Sequence, residues 1–166
     1  MTDTYVECLV AQKAKPIMFF LKYLLISLTV VIGLGSLLFS IFLGFIIAIC
    51  LGVAAYYVSA NADIEFEYLY VDKQISIDKV FAKSRRKTVA KYDIDKLEIL
   101  APLNSHQLDN YNNRQAKVTD YSSGVISQPE KRYAFFYDGK EKIIFEPSEE
   151  FVKAIYNVAP RKVAQY

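Results

Sequence analysis

The longest uninterrupted apolar stretch of the chain runs from Tyr23 to Val58 and contains no Asp, Glu, Lys, Arg or His. A run of about 18 or more apolar residues without charges is typical of a membrane-spanning helix. As one helix this stretch would be about 54 Å long, whereas the hydrocarbon core of a bilayer is about 30 Å thick. Because Gly33-Leu34-Gly35-Ser36 offers a break near the middle, the pattern predicts a transmembrane helical hairpin of residues 17–58, with helices at about 17–33 and 35–58.

The segment before this stretch, residues 1–16, is predicted to be an amphipathic helix at the membrane surface. Thr4 and Glu7 have the spacing of a capping box, and apolar residues follow at helical intervals. Lysines flank the apolar stretch, at positions 13, 15 and 22 before it and 73, 79 and 83 after it. The positive-inside rule therefore predicts a multi-pass protein of the cell's inner (plasma) membrane with both termini cytoplasmic. A secretory signal peptide is the disfavoured alternative, because its apolar region runs to only about 7–15 residues.

Small residues recur at every fourth position of the second predicted helix. Residues of this kind let two helix backbones approach closely in lipid. The stripe is interpreted either as packing against the first helix of the same chain or as a homodimer contact. Its members are Ser36, Ser40, Gly44, Ala48 and Gly52.

The rest of the chain, residues 59–166, has the pattern of a small β-rich domain ending in a helix. From Ile64 apolar and polar residues alternate, which is typical of half-buried strands. Asp138-Gly139 is a strong signal for a two-residue hairpin, and Ser148 is a suitable N-cap for an amphipathic last helix. Seven strands are predicted, at residues 64–71, 74–82, 88–92, 96–100, 116–121, 132–137 and 141–146.

Composition narrows the function classes further. The whole chain has a net charge of +2, and the part from Ser59 onward holds 17 of the 20 Lys+Arg and 16 of the 18 Asp+Glu. A nucleic-acid partner is not expected, because such proteins usually carry a strongly basic face. Two cysteines and one histidine suggest neither a disulfide framework nor a metal site, and no cofactor or catalytic motif occurs.

Seven strands followed by one amphipathic helix is the element order of a pleckstrin-homology (PH)-like fold. With an apolar hairpin in front, the layout resembles the bacterial PH-like (YcxB-like) membrane proteins. This resemblance implies an α+β membrane protein whose seven-strand bent sheet or barrel is closed at one end by the C-terminal helix. More closely, the chain is similar to a Firmicutes-type family of small membrane proteins of unknown function, which implies location and fold but no activity. The segments that carry this likeness are Tyr5-Val6-Glu7, Glu67-Tyr68-Leu69-Tyr70-Val71, Ser84-Arg85-Arg86-Lys87, Ser105-His106, Tyr121-Ser122-Ser123-Gly124, Phe145-Glu146-Pro147 and Ala159-Pro160-Arg161.

The densest positive charge lies between the second and third predicted strands, at Lys83, Arg85, Arg86 and Lys87. Basic residues held close to an anionic leaflet contribute about 1 kcal/mol each to membrane binding. We therefore expect a contact with anionic phospholipid here, with a merely solvated turn as the alternative. PH-like domains more often use the loop between their first and second strands, which weakens the analogy.

The long polar segment 103–131 is a candidate partner-binding loop, because binding residues concentrate on loops held by rigid sheets. The alternative is a plain variable loop. A catalytic role for His106 would require a carboxylate within hydrogen-bond reach in a pocket. The candidate residues are Ser105, His106, Asp109, Asp120, Tyr121, Ser122 and Ser123.

Together these observations favour a non-enzymatic, membrane-anchored cytoplasmic module. It is expected to bind or scaffold a protein partner or to contact the anionic membrane surface. The alternatives are an accessory subunit of a larger membrane complex, recruited through the small-residue stripe or as a homodimer, and a membrane-associated enzyme that uses the loop around His106.

Overall fold

The computed structural model describes residues 5–13 and 16–164, which form two compact units. The larger unit contains the residues up to Lys13, Glu65–Val80 and the residues from Arg86 on; the smaller contains the two long helices and Phe81–Arg85. The α+β class is confirmed. In chain order the elements are β1 (Val6–Ala11), α1 (Pro16–Phe39), α2 (Phe42–Ala62), β2 (Ile64–Val71), β3 (Gln74–Phe81), β4 (Arg85–Asp93), β5 (Leu97–Pro102), α3 (Asp109–Asn112), β6 (Lys117–Asp120), β7 (Tyr133–Tyr137), β8 (Glu141–Phe145) and α4 (Glu149–Val158), with 3-10 turns at Ile94–Lys96 and His106–Leu108.

Helices α1 and α2 are long and apolar enough, by length and composition, to cross a membrane. Their 24 and 21 residues correspond to about 36 and 32 Å of helix, close to the thickness of a hydrocarbon core. Within the most apolar window of each helix, only 0% and 6% of the residues are buried. The core helix of a soluble protein buries most of such side chains, and these two helices do not.

The connection between the two helices lies later than the sequence predicts. The expected break at Gly33–Ser36 is wrong: α1 continues to Phe39, and the chain turns at Ser40, whose φ is 50°. Ser36 therefore belongs to α1 rather than to the second helix. A glycine weakens a helix by only about 1 kcal/mol, whereas unpaired backbone groups are far more costly in an apolar environment. The Ser36 hydroxyl additionally donates to the Ile32 carbonyl at 2.6 Å, as is typical inside a helix.

The segment before α1 is a strand, so the predicted amphipathic helix over residues 1–16 is wrong for the described part. Strand β1 pairs antiparallel with β2, from Val6 opposite Tyr70 to Ala11 opposite Glu65. Val6, Cys8 and Val10 are half-buried and alternate with exposed residues, which is the two-residue period of a strand. The suggested capping residue Thr4 lies outside the described residues. Since α1 and α2 fall between β1 and β2, the helical hairpin is an insertion within a strand pair.

All seven strands expected from the sequence are present, and β1 adds an eighth among the described residues. They form two four-stranded sheets, with the orders β1-β2-β3-β4 and β5-β7-β8-β6. In the second sheet β6 runs parallel to β8, while β5 and β8 pair antiparallel with β7. The predicted hairpin at Asp138-Gly139 is confirmed, with φ values of 51° and 65° at these residues.

The core of the larger unit is a group of aromatic rings between the two sheets and α4. Helix α4 begins as predicted, since the Ser148 hydroxyl accepts from the Phe151 backbone N–H at 3.2 Å. This cap fixes Phe151, whose ring meets those of Tyr68, Tyr70 and Phe145 edge to face at 6.0–6.3 Å. All four side chains are fully or almost fully buried.

The two sheets do not close into a barrel, which corrects one form of the expected fold. A groove of about 500 Å³ lies between β4 and β6, which are both edge strands. The edge strand β5 is covered instead: the segment after α4 runs beside it, with Ala164 N–H donating to Leu100 O at 2.8 Å. The larger unit is therefore an open two-sheet structure with α4 packed against its core.

Candidate functional site

The basic segment predicted to contact lipid begins in the tight connection between β3 and β4 and continues into β4. Ala82 and Lys83 both have left-handed backbone angles, with φ values of 46° and 55°. Ser84 N–H donates to Phe81 O at 3.1 Å, which closes a two-residue turn. Such turns favour Asn-Gly, because the left-handed conformation costs other residues about 1–2 kcal/mol each. The turn therefore holds the Lys83 backbone in one fixed conformation.

The turn itself, with Lys83 and Arg85, belongs to the same compact unit as the two long helices, whereas Arg86 and Lys87 belong to the larger unit. The Ala82 N–H donates to the carbonyl of Asp63, the residue that follows α2, at 2.9 Å. Asp63 in turn lies 3.9 Å from the ammonium group of Lys22 on α1. The turn is thus placed at the end of the helical hairpin that carries Lys22 and Asp63.

The four basic residues do not share one role in the structure. Arg86 forms an ion pair with Glu67, at 3.0 Å between its Nη1 and the carboxylate Oε2. Arg85 and Lys87 project from the other face of β4, because side chains alternate along a strand. Lys83, Arg85 and Lys87 are exposed, and none of them has an ion pair with another residue that the structure describes. These three remain available to an outside anion.

Arg86 is held by an acidic pair that sequence reasoning missed. Glu67 is fully buried in β2, and Glu7 lies diagonally across from it on β1. Burial raises the pKa of Glu67, and the neighbouring carboxyl group of Glu7 raises it further, while Arg86 opposes both. The pKa of Glu7 is lowered by the hydrogen bond from the Tyr5 hydroxyl, at 2.7 Å, and by the neighbouring carboxyl group of Glu67. Of the two carboxyl groups, Glu67 is therefore the one that binds a proton more readily. The two-residue alternation along β1 was the sequence feature that could have revealed the contact between Glu7 and Glu67.

The raised pKa of Glu67 predicts a pH-dependent stability. Above the ordinary pKa of glutamate the native state holds a proton that the unfolded state has lost, so the free energy of unfolding falls as pH rises toward the folded-state pKa. Because glutamine does not titrate, Glu67→Gln should abolish this slope. Denaturant unfolding of the full-length protein in detergent, followed by near-ultraviolet circular dichroism from pH 4.5 to 8, measures the slope. Glu65→Gln, on the same face of β2, should retain it; retention in Glu67→Gln would contradict the assignment.

The predicted partner loop is divided between two places. Ser105 caps a 3-10 turn by accepting from Gln107 N–H at 3.3 Å. His106 Nδ1 lies 3.5 Å from Asp109 Oδ2, and the His106 side chain is fully exposed. A solvent-exposed contact between residues i and i+3 of a helical turn contributes little to stability. A general base would lie in an enclosed pocket, and His106 does not. These residues therefore form a surface turn.

The second part of the predicted loop, Asp120–Ser123, is engaged in its own backbone. The Asp120 carboxylate accepts from Ser122 N–H at 2.8 Å, and the buried Ser122 hydroxyl accepts from Gly124 N–H at 3.2 Å. The Tyr121 carbonyl accepts from the hydroxyl of buried Tyr68 at 2.6 Å. These polar groups fix the loop rather than present themselves to a partner. Among residues 5–13 and 16–164, no three His, Cys, Asp or Glu side chains are grouped as metal ligands.

The small-residue stripe lies between the two helices of one chain. Gly44 lies against Ser36, so closely that a Cβ on Gly44 would overlap the Ser36 hydroxyl. A Cβ on Gly33 would lie 3.9 Å from Ala48, and one on Gly52 would lie 3.6 Å from Thr29. Ser40 lies in the connection between the helices rather than in the stripe.

Comparison with known proteins gave one match. The family model described as Bacterial PH-like domain (DUF6106) matches residues 2–165. Neither the curated proteins nor the solved structures gave a match to the chain.

Proposed function

Because the chain belongs to the family of bacterial PH-like domains, we propose that it is a PH-like binding module anchored in a membrane by α1 and α2. Its basic turn contacts the anionic headgroups of the leaflet on the side of the sheets. The observation that carries this proposal is the hydrogen bond from Ala82 N–H to Asp63 O, which fixes the basic turn to the end of α2.

Two features support anchoring. The long helices present exposed apolar side chains along their whole length, including Phe20, Val31, Leu38 and Ile49. An exposed apolar surface of this size marks a membrane or protein interface rather than a soluble surface. In addition, β1 precedes α1 and pairs with β2, which follows α2. Because β1 and β2 pair on one side of the bilayer, the chain must cross it an even number of times between them. This requirement supports an anchor of two helices.

The distribution of lysines supports a cytoplasmic location for the sheets. Positive charges flank the outer ends of both helices, and the connection at Ser40-Ile41 carries no charge. Positive flanks are retained in the cytoplasm during insertion. The leaflet that faces the sheets is then the inner leaflet, which is rich in anionic lipid and attracts basic residues within a Debye length of about 8–10 Å.

The test is charge reversal of two of the three available basic residues. Each contributes about 1 kcal/mol near an anionic surface, so Arg85→Glu with Lys87→Glu should reduce the surface-bound population by roughly thirty-fold or more. Hydrogen exchange of the Ala82–Lys87 amides is measured on the full-length protein in nanodiscs with and without phosphatidylglycerol. We expect slower exchange with phosphatidylglycerol than without it, and loss of this difference in the double variant.

The matched control reverses the charges of Lys117 and Lys140. Both lie beside the first residue of β8, whereas the Asp120–Ser123 turn lies near its last residues. This control variant should retain the protection of the basic turn. Unchanged protection in the Arg85→Glu, Lys87→Glu variant would refute the lipid contact while leaving the anchoring of the helices intact.

A further inference from the structure

The loop between β6 and β7 presents two adjacent aliphatic side chains to solvent. Val125 is 44% exposed and Ile126 is 77% exposed. Single exposed aliphatic residues are ordinary on protein surfaces, but adjacent ones on a fixed support are less so. The support here is fixed: Val125 N–H donates to the Ser123 hydroxyl at 3.2 Å, and Ser123 N–H donates to Glu146 Oε2 at 3.4 Å.

The base of this loop lies at the end of the first sheet where the chain leaves for α1 and returns from α2. Ser123 O accepts from the backbone N–H of Lys13 at 2.8 Å, and Lys13 precedes α1 by three residues. The ring of Tyr121 packs edge to face on that of Phe66, near the beginning of β2, at 5.5 Å between centroids. The loop is therefore built onto the two strand ends that connect to the helical hairpin.

We infer that Val125 and Ile126 insert into the interfacial region of the bilayer. This inference rests on the proposed anchoring, because the chain that enters the membrane is bound directly to the loop through Lys13. The occupant is the boundary between lipid headgroups and acyl chains, where exposed apolar side chains are buried to a depth of about 5–10 Å. The contact is apolar and needs no anionic lipid, so it is separate from that of the basic turn.

The chain contains no tryptophan, so a single introduced tryptophan reports its own environment. Ile126→Trp is reconstituted as the full-length protein in vesicles of zwitterionic lipid brominated at defined acyl positions. We expect a blue-shifted emission that brominated lipid quenches, with a depth of about 5–10 Å below the headgroups. Val118→Trp is the control: Val118 is 60% exposed on β6, and its tryptophan should be unquenched.

A second reporter separates this inference from the proposed anchoring. Ile49 is 66% exposed near the middle of α2, so Ile49→Trp should be strongly quenched if the helix crosses the bilayer. Quenching of Ile49→Trp without quenching of Ile126→Trp overturns the loop insertion and leaves the anchoring intact. A blue shift of Ile126→Trp without quenching by brominated lipid assigns the loop to a protein contact and also overturns the insertion. Absence of quenching in Ile49→Trp overturns both the anchoring and the loop insertion. If Ile126→Trp does not fold, Val125→Trp takes its place.

Discussion

Replacement of Phe151 by alanine is expected to lower the free energy of unfolding by about 3–5 kcal/mol. Phe151 is fully buried and its ring contacts those of Tyr68, Tyr70 and Phe145. It is also the first large side chain that α4 places in the core, so its loss leaves a cavity where the helix meets both sheets. A domain stability of about 5–15 kcal/mol would be reduced by about a fifth or more.

Denaturant unfolding of the full-length protein in detergent, followed by near-ultraviolet circular dichroism, measures this loss. Val158→Ala is the control on the same helix, because Val158 is 42% exposed in the last turn and its truncation should cost less than about 1 kcal/mol. Equal effects of the two substitutions would show that α4 does not close the core as described.

The second large effect is expected from Gly44→Ile in the helical hairpin. Because a Cβ at this position already overlaps the Ser36 hydroxyl, the two helices must separate to admit the larger side chain. Overpacking of a close contact costs about 1–3 kcal/mol, and a contact at the backbone itself belongs at the upper end. Helix pairs in lipid are held mainly by such close packing, so α1 and α2 should lose their mutual protection.

Hydrogen exchange of the helix amides in nanodiscs measures the separation. Gly35→Ile is the matched control, because no other group lies within 4 Å of a Cβ at Gly35. We expect faster exchange near Ser36 and Gly44 in Gly44→Ile and unchanged exchange in Gly35→Ile. If Gly44→Ile instead leaves exchange unchanged and dissociates a dimer, the stripe serves contact between two chains.

The sequence was most informative where one residue type decides the local backbone. Asp138-Gly139 predicted its hairpin because both central residues of that turn need positive φ, and the structure confirms this. Ser148 predicted the start of α4 because a hydroxyl can accept from the free N–H groups of the first turn. These signals depend on neighbouring residues alone, so no knowledge of distant contacts was needed.

The sequence was least informative where a short pattern fits two periods. Val6, Leu9 and Val10 match a helix, while Val6, Cys8 and Val10 match a strand, and only the pairing with β2 decides between them. The helix break was misplaced for a related reason. Glycine is a weak breaker when the surroundings supply no alternative partners for the backbone, so Gly33 and Gly35 remain helical.

The candidate site shows the same limit. The basic segment could be located from its charge density, but the separate role of Arg86 depends on Glu67, which lies two strands away in the same sheet. The acidic pair that Arg86 joins requires β1, which the sequence interpretation placed outside the domain. The residues left for an anion could therefore be identified only after the strand order was known.

The insertion of the helices between two paired strands has a consequence for biosynthesis. Glu65 is synthesised some fifty residues after its neighbour Ala11, so β1 waits a few seconds for its partner at about 5–20 residues per second. Translation order thus places synthesis of the two apolar helices before closure of the first sheet. By the same logic, a tight turn that joins Ala11 to Glu65 would remove both apolar helices and keep β1 paired with β2.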